Sequence, residues 1–389
     1  MPSLGYLVPE FPGQTHIWMW REIVALRNAG VDVKLVSTRR PADDACRHDF
    51  AAEARRLTHY LYPPRMTPML KRIIRTPSIV RYVNSLKESS IKQKLKITGL
   101  ATCAADLAQW ARANDVYHIH CHSAGNAAHV VAMANALSGV NYSITLHGDL
   151  EVYGVDHRSK FGKAKFIATA GEHLIEPVVA IGIDRAKVFS NPMGTDTNRF
   201  IDAGKRDPQA NRLKLLTVAR LHRCKGYIYA FEAMRHLLDS GMDIHYSLAG
   251  DGPHKAEIIA DIERLKLTDR IDVLGSVGET GVIDLMQTHD AFLLTSIGVG
   301  EAAPVGVMEA MSTALPVVCS IIGSTAHMIQ DGRTGFLTKQ EDIDTITRVL
   351  TMLGNDVELR KRIGNAAREY AIANFDSKVS ALRLLARTK

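Results

Sequence analysis

Short apolar runs alternate with longer amphipathic stretches along most of the chain, with Gly- or Pro-bearing loops between them. Leu4–Pro9 reads as an apolar strand ending at the Pro12-Gly13 loop. After it, Met19, Ile23 and Leu26 mark one face of a helix that Gly30 stops. Val31–Thr38 predicts the next strand, and beyond a basic helical region Asp115–His122 predicts another. Ala124–Leu137 reads as a helix, and Tyr142–Leu146, Phe166–Thr169 and Lys187–Ser190 continue the strand series. A second series follows Asn191-Pro192, with strands at Lys214–Ala219, Ile244–Ala249, Ile271–Leu274, Ala291–Thr295 and Pro316–Ser320.

Such alternation predicts α/β architecture, with parallel sheets covered by helices on both faces. The expected organisation is two Rossmann-like doubly wound domains, residues 1–190 and 191–365, with a linker near 190–210. The helical stretch Asp356–Arg387 carries no strand signal, and its end, residues 366–389, is expected to pack back on the N-terminal domain. No low-complexity segment or short repeat is present. Open α/β sheets bind ligands outside the carboxyl ends of their strands. The chemistry is therefore sought on the strand-end loops, and the expected site is a cleft between the two domains.

Composition narrows the partners more than the fold. The 389 residues are 46% hydrophobic and 23% charged, which is ordinary for globular chains. No apolar run approaches the ~20 residues that span a bilayer. The start, MPSLGYLVPEF, has neither the basic residues nor the apolar core of a signal peptide. Five scattered cysteines (Cys46, Cys103, Cys121, Cys224 and Cys319) with no CxxC pair read as reduced thiols. The expected location is cytoplasmic, with peripheral contact on the inner face of the membrane. The net charge is +7, and Arg65–Lys96 carries nine Lys or Arg residues against Glu88 alone. That stretch lacks the interleaved aromatics of nucleic-acid platforms, so an anionic membrane surface fits it better than nucleic acid.

The most informative segment is Gly300–Pro316, GEAAPVGVMEAMSTALP, in which seven residues separate Glu301 from Glu309. Pro304 suits the beginning of a helix starting near Val305. Glu301 then stands on the loop after a strand, while Glu309 lies about one turn inside the helix. A carboxylate accepts two hydrogen bonds side by side, so each Glu can grip vicinal hydroxyls. The backbone N–H groups at the start of this helix, from Val305 on, suit a phosphate. Val218-Ala219-Arg220 ends a strand, and Lys225-Gly226 follows just before a helix. Such a pair makes a diphosphate clamp, Arg as a planar fork and Lys as a point charge, and stabilises charge on a departing diphosphate. Gly250-Asp251-Gly252-Pro253 adds a tight turn after another strand.

Taken in this order, Arg220 with Lys225-Gly226, Gly250-Asp251-Gly252-Pro253, Glu301-x7-Glu309, Leu315-Pro316-Val317-Val318 and Asp331-Gly332-Arg333-Thr334-Gly335-Phe336-Leu337 resemble the retaining glycosyltransferases of family 4, with the GT-B fold. Many members of that family assemble polysaccharides. The resemblance is strong over about 190–340 and weaker before. It implies that Arg220 and Lys225 hold the donor diphosphate, Glu309 the ribose and Glu301 the transferred sugar. Many members carry Gly-Phe-Gly after the first Glu, whereas this chain has Ala302-Ala303-Pro304-Val305-Gly306, nearer to a variant found among capsule and exopolysaccharide enzymes.

The first domain supplies a second set. Thr145-Leu146-His147-Gly148-Asp149 ends a strand where the family places a His beside the sugar. His147 is expected to orient the donor sugar, with Asp149 toward the acceptor. His118, His120 and His122 alternate on a strand and share one face, which mimics a metal site. The family uses no bound metal, and His122, at the strand's end, is the better candidate for an acceptor contact. Gly13-Gln14-Thr15-His16 follows the first strand, where the family's flexible loop approaches donor and acceptor.

The implied reaction moves a sugar from a nucleotide sugar, UDP-linked before GDP-linked, to a glycan, lipid-linked or small-molecule acceptor. The donor is a substrate, and neither cofactor nor metal is expected. The main rival is a two-lobed sugar-binding protein without catalysis. A phosphorylase of the same fold would need a marked pyridoxal lysine. A nucleotide-dependent oxidoreductase would need a glycine fingerprint where the chain has Phe11-Pro12-Gly13-Gln14-Thr15.

Overall fold

The first strand, β1 (Ser3–Glu10), is buried over Ser3–Val8, as a central strand covered on both faces must be. In the computed structural model, which describes residues 3–62, 73, 75–207, 212–298 and 303–388, it lies at the centre of a seven-stranded sheet. The other strands are β2 (Val33–Arg39), β3 (Thr58–Tyr60), β4 (Val116–Cys121), β5 (Asn141–Leu146), β6 (Ile167–Thr169) and β7 (Val188–Ser190). Their order is β3-β2-β1-β4-β5-β6-β7, and every pairing is parallel. Gly5 lets β4 approach closely, since a Cβ there would stand 3.1 Å from Val116 Cγ1 and 3.2 Å from Ile119 Cγ1.

The second sheet comprises β8 (Leu213–Val218), β9 (Ile244–Ala249), β10 (Ile271–Gly275), β11 (Ala291–Leu294), β12 (Val317–Ser320) and β13 (Phe336–Thr338). It is six-stranded and parallel, in the order β10-β9-β8-β11-β12-β13. Helix Tyr227–Asp239 packs Ala230, Phe231, Met234 and Leu237 into the core of this sheet with Leu215, Tyr246 and Leu248. Both sheets are therefore Rossmann-like and doubly wound.

The chain divides into two compact units, Met1–Pro192 with Ser380–Lys389, and Met193–Val379. The helical end is not continuous. Helix Val357–Asn374 closes the second unit, and Phe375-Asp376 interrupts it before helix Ser377–Thr388. The tail is tied within the first unit: Tyr117 Oη lies 2.9 Å from Thr388 Oγ1, and Lys165 Nζ donates to the Thr388 carbonyl at 3.1 Å. The Arg387 guanidinium sits 4.2 Å above the Phe189 ring.

In each sheet the chain reverses its winding once, between β1 and β4 and between β8 and β11. At such a switch point the loops leave the two central strands in opposite directions, and a crevice opens at their carboxyl ends. The sequence pattern thus locates two places, one per unit, where a ligand is best received.

Candidate functional site

In the second unit the switch point is built by the loops after β8, β9 and β11. Arg220 follows β8 and is exposed, and Lys225 ends a short 3-10 turn, Arg223–Lys225. Of the neighbouring cations, Arg223 is committed elsewhere: its Nε reaches Glu257 Oε1 at 2.9 Å and Oε2 at 2.8 Å. The turn ends at Gly226, in the left-handed region at φ +60, and a Cβ there would lie 2.1 Å from the Thr295 carbonyl. Thr295 explains the closeness. Its hydroxyl donates to the Gly226 carbonyl at 2.9 Å, and the Ile297 N–H reaches the Cys224 carbonyl at 2.8 Å. The β8 and β11 loops are thereby stitched together.

Gly250 performs the same service for the β9 loop. Its φ is +157, and a Cβ would stand 1.9 Å from the Ala219 carbonyl. The Leu221 N–H donates to the Asp251 carbonyl at 3.0 Å, which binds this loop to the one bearing Arg220. Helix Val305–Ser312 opens with Pro304 as its N-cap residue, at φ -69 and ψ 116. Glu309 lies on this helix at 5% exposure. A carboxylate that deep must be paired or hydrogen-bonded. Glu301 lies outside the described residues, as does Gly300. The structure brings Arg220, Lys225, Gly250, Pro304, Val305 and Glu309 to the carboxyl end of one sheet.

The first unit's switch point holds aromatic and imidazole rings. His122 follows β4 and His147 follows β5; His122 Nδ1 and His147 Nε2 are 3.2 Å apart, and the rings lie nearly parallel at 12°. Trp18 packs against both, at 4.5 Å from the His147 ring and 5.5 Å from the His122 ring. The Tyr6 ring covers His122 at 4.3 Å. Burial lowers the His122 pKa to about 3 and drives that of His147 well below the usual imidazole range; His16 adds to both shifts, and His122 adds to that of His147. Burial alone takes His16 down to about 4. These rings are neutral at physiological pH.

His118 and His120 share a face with His122, as the alternation predicts, and three of their four nitrogens have hydroxyl partners. His118 Nε2 and His120 Nδ1 both lie 2.7 Å from Ser143 Oγ, and His120 Nε2 is 2.8 Å from Thr145 Oγ1. Among the described residues no three His, Cys, Asp or Glu side chains are grouped to hold a metal ion.

The remaining first-unit residues have local tasks. A Cβ on Gly13 would meet His16 Nδ1 at 2.9 Å, so the turn keeps the His16 ring folded against it. The Gln14 side chain fastens the loop to residues 47–48: its Oε1 accepts from the Arg47 N–H at 2.9 Å, and its Nε2 lies 3.3 Å from His48 Nε2. Asp149 stands 3.9 Å from His173 Nε2 at the start of a 3-10 turn, Leu150–Tyr153. Its neighbour His147 donates its backbone N–H to Tyr153 Oη at 3.2 Å. Two residues absent from the sequence-based candidates join the site, Glu22 and Thr295. Glu22 Oε1 lies 3.2 Å from His122 Nε2 and accepts from the Tyr6 hydroxyl at 2.9 Å.

Comparison with known proteins agrees with this architecture. Residues 199–370 match the family model described as glycosyl transferases group 1, a span that includes Arg220, Lys225, Gly250 and Glu309. The fold is of the GT-B type, and the second unit carries the segment similar to the group 1 glycosyl transferases. More particularly, the chain is similar to the amylovoran biosynthesis glycosyltransferase AmsK of Erwinia amylovora, 25% identical over 90% of each chain. It is also similar to N-acetyl-alpha-D-glucosaminyl L-malate synthase of Bacillus anthracis, 26% identical over 70% of this chain and 74% of that one. Among solved structures, Anabaena Alr3699/HepE in complex with UDP and glucose superposes with a TM-score of 0.76, at 17% identity and 99% coverage of both chains.

Proposed function

We propose that this chain is a retaining, family 4-type transferase that moves a sugar from a UDP-linked donor to a saccharide-bearing, lipid-linked acceptor in polysaccharide assembly. One observation carries the reading: Arg220, Lys225 and the buried Glu309 converge at the carboxyl ends of β8 and β11, on loops tied by Thr295 and Gly226. A nucleoside diphosphate offers the two functions such a set recognises, an anion for the cations and vicinal ribose hydroxyls for the carboxylate. The biosynthetic relatives and the UDP-bound structural neighbour support the same substrate class.

In this reading Arg220 and Lys225 stabilise the charge that develops on the leaving diphosphate, which is where a transition state gains most. Same-face attack lets the donor phosphate take the acceptor's proton, so neither a carboxylate nucleophile nor a metal is needed. His147 orients the transferred sugar with His122 behind it, and His16 and Asp149 serve the acceptor side. Glu301 contacts the transferred sugar by its place in the motif. Nothing beyond the nucleotide sugar is required as a cofactor.

The basic segment brings the enzyme to an anionic surface that carries the acceptor. Part of Arg65–Lys96 lies outside the described residues, but helix Ile91–Gly99 presents Ile91 at 81% and Leu95 at 69% exposure, interleaved with Lys92, Lys94 and Lys96. Among the described residues no helix is long and apolar enough to cross a membrane.

The test is release of the nucleoside diphosphate from a panel of UDP- and GDP-sugars with lipid-linked saccharide acceptors, with and without EDTA. Turnover of a UDP-sugar that survives EDTA and gives a product of retained anomeric configuration is expected. Loss of turnover in EDTA with recovery on adding magnesium or manganese would refute the metal-free mechanism. Binding of UDP without turnover on any acceptor would favour a non-catalytic binder.

A further inference from the structure

Several buried imidazole nitrogens lack a hydrogen-bond partner, and one of them belongs to His147. Its Nε2 faces His122 Nδ1 at 3.2 Å, while its Nδ1 is buried and has no hydrogen-bond partner. A buried orphan nitrogen is costly until water or a ligand meets it, and His147 stands at the strand end where a ligand is received. What it can receive depends on where the imidazole proton sits. In a contact between two neutral imidazoles one nitrogen donates and the other accepts, so two proton arrangements compete. The choice falls at the far end of the chain of contacts.

That end is Glu22, 8% exposed on helix Ile17–Asn28, whose Oε1 lies 3.2 Å from His122 Nε2. The same oxygen accepts from the Tyr6 hydroxyl at 2.9 Å, so it acts toward its neighbours as an acceptor. The approach of His122 Nε2 is off the hydrogen-bond axis, but attraction between a carboxylate and an N–H acts through charge and survives misalignment. Placing the Nε2 lone pair there instead would press two acceptors together inside a buried site. The proton therefore sits on His122 Nε2. His122 Nδ1 then accepts from His147 Nε2–H, and His147 Nδ1 is left with its lone pair. Trp18 packs against both imidazoles and Tyr6 covers His122, which holds this arrangement.

We propose that Glu22, acting through His122, fixes His147 as a hydrogen-bond acceptor at Nδ1 for a hydroxyl of the sugar. Glu22 is a positioning residue and does not itself touch substrate. The inference rests on the reading of His147 as the group that meets the transferred sugar, and it specifies how: the sugar must offer a donor there. A sugar whose hydroxyl at that point is replaced by hydrogen leaves the lone pair unmet and is a poor substrate.

Two-bond nitrogen–proton correlation spectra of the protein labelled with 15N in its histidine rings report the tautomer directly, without substrate. The expected result is His147 protonated at Nε2 and bare at Nδ1. Glu22→Met removes the acceptor oxygen; it should let His147 populate both tautomers and lower kcat roughly 10- to 100-fold, with donor KM little changed. Glu22→Asp keeps the carboxylate charge on the same helix face and should retain more of the tautomer preference and of the activity than Glu22→Met. A proton on His147 Nδ1 in the wild type, a reading that needs no variant, overturns the proposal. So does an unchanged tautomer in Glu22→Met, or a changed tautomer with unchanged kcat. Because the spectra are taken on the free protein, they stand or fall apart from the assignment of sugar transfer.

Discussion

Glu309 lies about one helical turn inside Val305–Ser312 and is 5% exposed, so its contacts are fixed by the helix and not by a loop. A ribose held there makes the same bonds before and during reaction. Removing such uniform binding raises KM and leaves kcat alone. Glu309→Gln is therefore expected to raise the donor KM with kcat little changed and to weaken UDP binding by about 1.5–3 kcal/mol, the worth of a charge-assisted hydrogen bond. Glu301→Gln should instead lower kcat, because the ring it meets changes charge and shape in the transition state, and should barely alter UDP affinity. Calorimetry with UDP and steady-state kinetics check both; equal losses of UDP affinity would reverse the two assignments. The motif residues were legible in the sequence because a shared order of loops and turns carries them. Glu22 was not, since its partners come from other elements and lie far along the chain. A signal was present nonetheless: Glu22 sits between Met19 and Ile23, on the face the apolar spacing turns inward, where an acidic residue demands an explanation.

At the scale of elements, apolar runs revealed the central strands of both sheets, and Gly and Pro marked the loops between them. The strands missed were β3 and β13, three residues each and at the sheet edges. They are too short to show a period, and their pairing comes from neighbours already in place. The loops are where glycine chemistry becomes testable. Gly226→Ala combines a left-handed φ of +60 with a Cβ 2.1 Å from the Thr295 carbonyl, so the β8 and β11 loops must part. We expect a loss of about 1–3 kcal/mol in stability together with weaker UDP binding. Gly241→Ala is the control, with φ +88 but nothing within 4 Å of the added Cβ. It should cost about 1 kcal/mol and leave UDP affinity unchanged. Thermal unfolding with and without UDP separates the two. Helix Ile91–Gly99 makes a different prediction. Ile91→Ser with Leu95→Ser removes exposed side chains, so stability should move by no more than about 0.5 kcal/mol. Binding to anionic vesicles should fall, and in the wild type it should fade with added salt. Unchanged vesicle binding in the double variant would mean that this helix is not the membrane contact.

For the whole molecule, the distribution of buried histidines sets an acid limit on stability, and it sets it unequally. In the first unit burial holds His118, His122 and His129 down to about 3, and it drives His120 and His147 well below the usual imidazole range. The second unit has lowered pKa values at His289, from burial, and at the surface residue His222. A histidine unfolds to a pKa of about 6.5, so above that pH neither state binds a proton and the group has no effect. Below it the unfolded chain takes up a proton that the folded chain refuses. Stability then falls as pH drops from about 6.5 toward the folded pKa values, by about 1.4 kcal/mol per pH unit for each histidine that stays neutral. Several such groups acting together make the loss steep, because the native state is held by only about 5–15 kcal/mol. The first unit is therefore expected to unfold at a higher pH than the second. Intrinsic fluorescence reports on it selectively, since all three tryptophans, Trp18, Trp20 and Trp110, lie within it. Hydrogen exchange in peptides from residues 212–298 and 303–379 follows the other. Titrating from pH 7 downward, the tryptophan transition should come first, between about pH 6 and 4, while those peptides remain protected. His120→Asn, or another neutral replacement at one of these buried positions that folds, should make the transition shallower by removing one of the protons taken up. Simultaneous loss of both signals, or earlier loss of protection in the second unit, would show that buried imidazoles do not govern the acid limit.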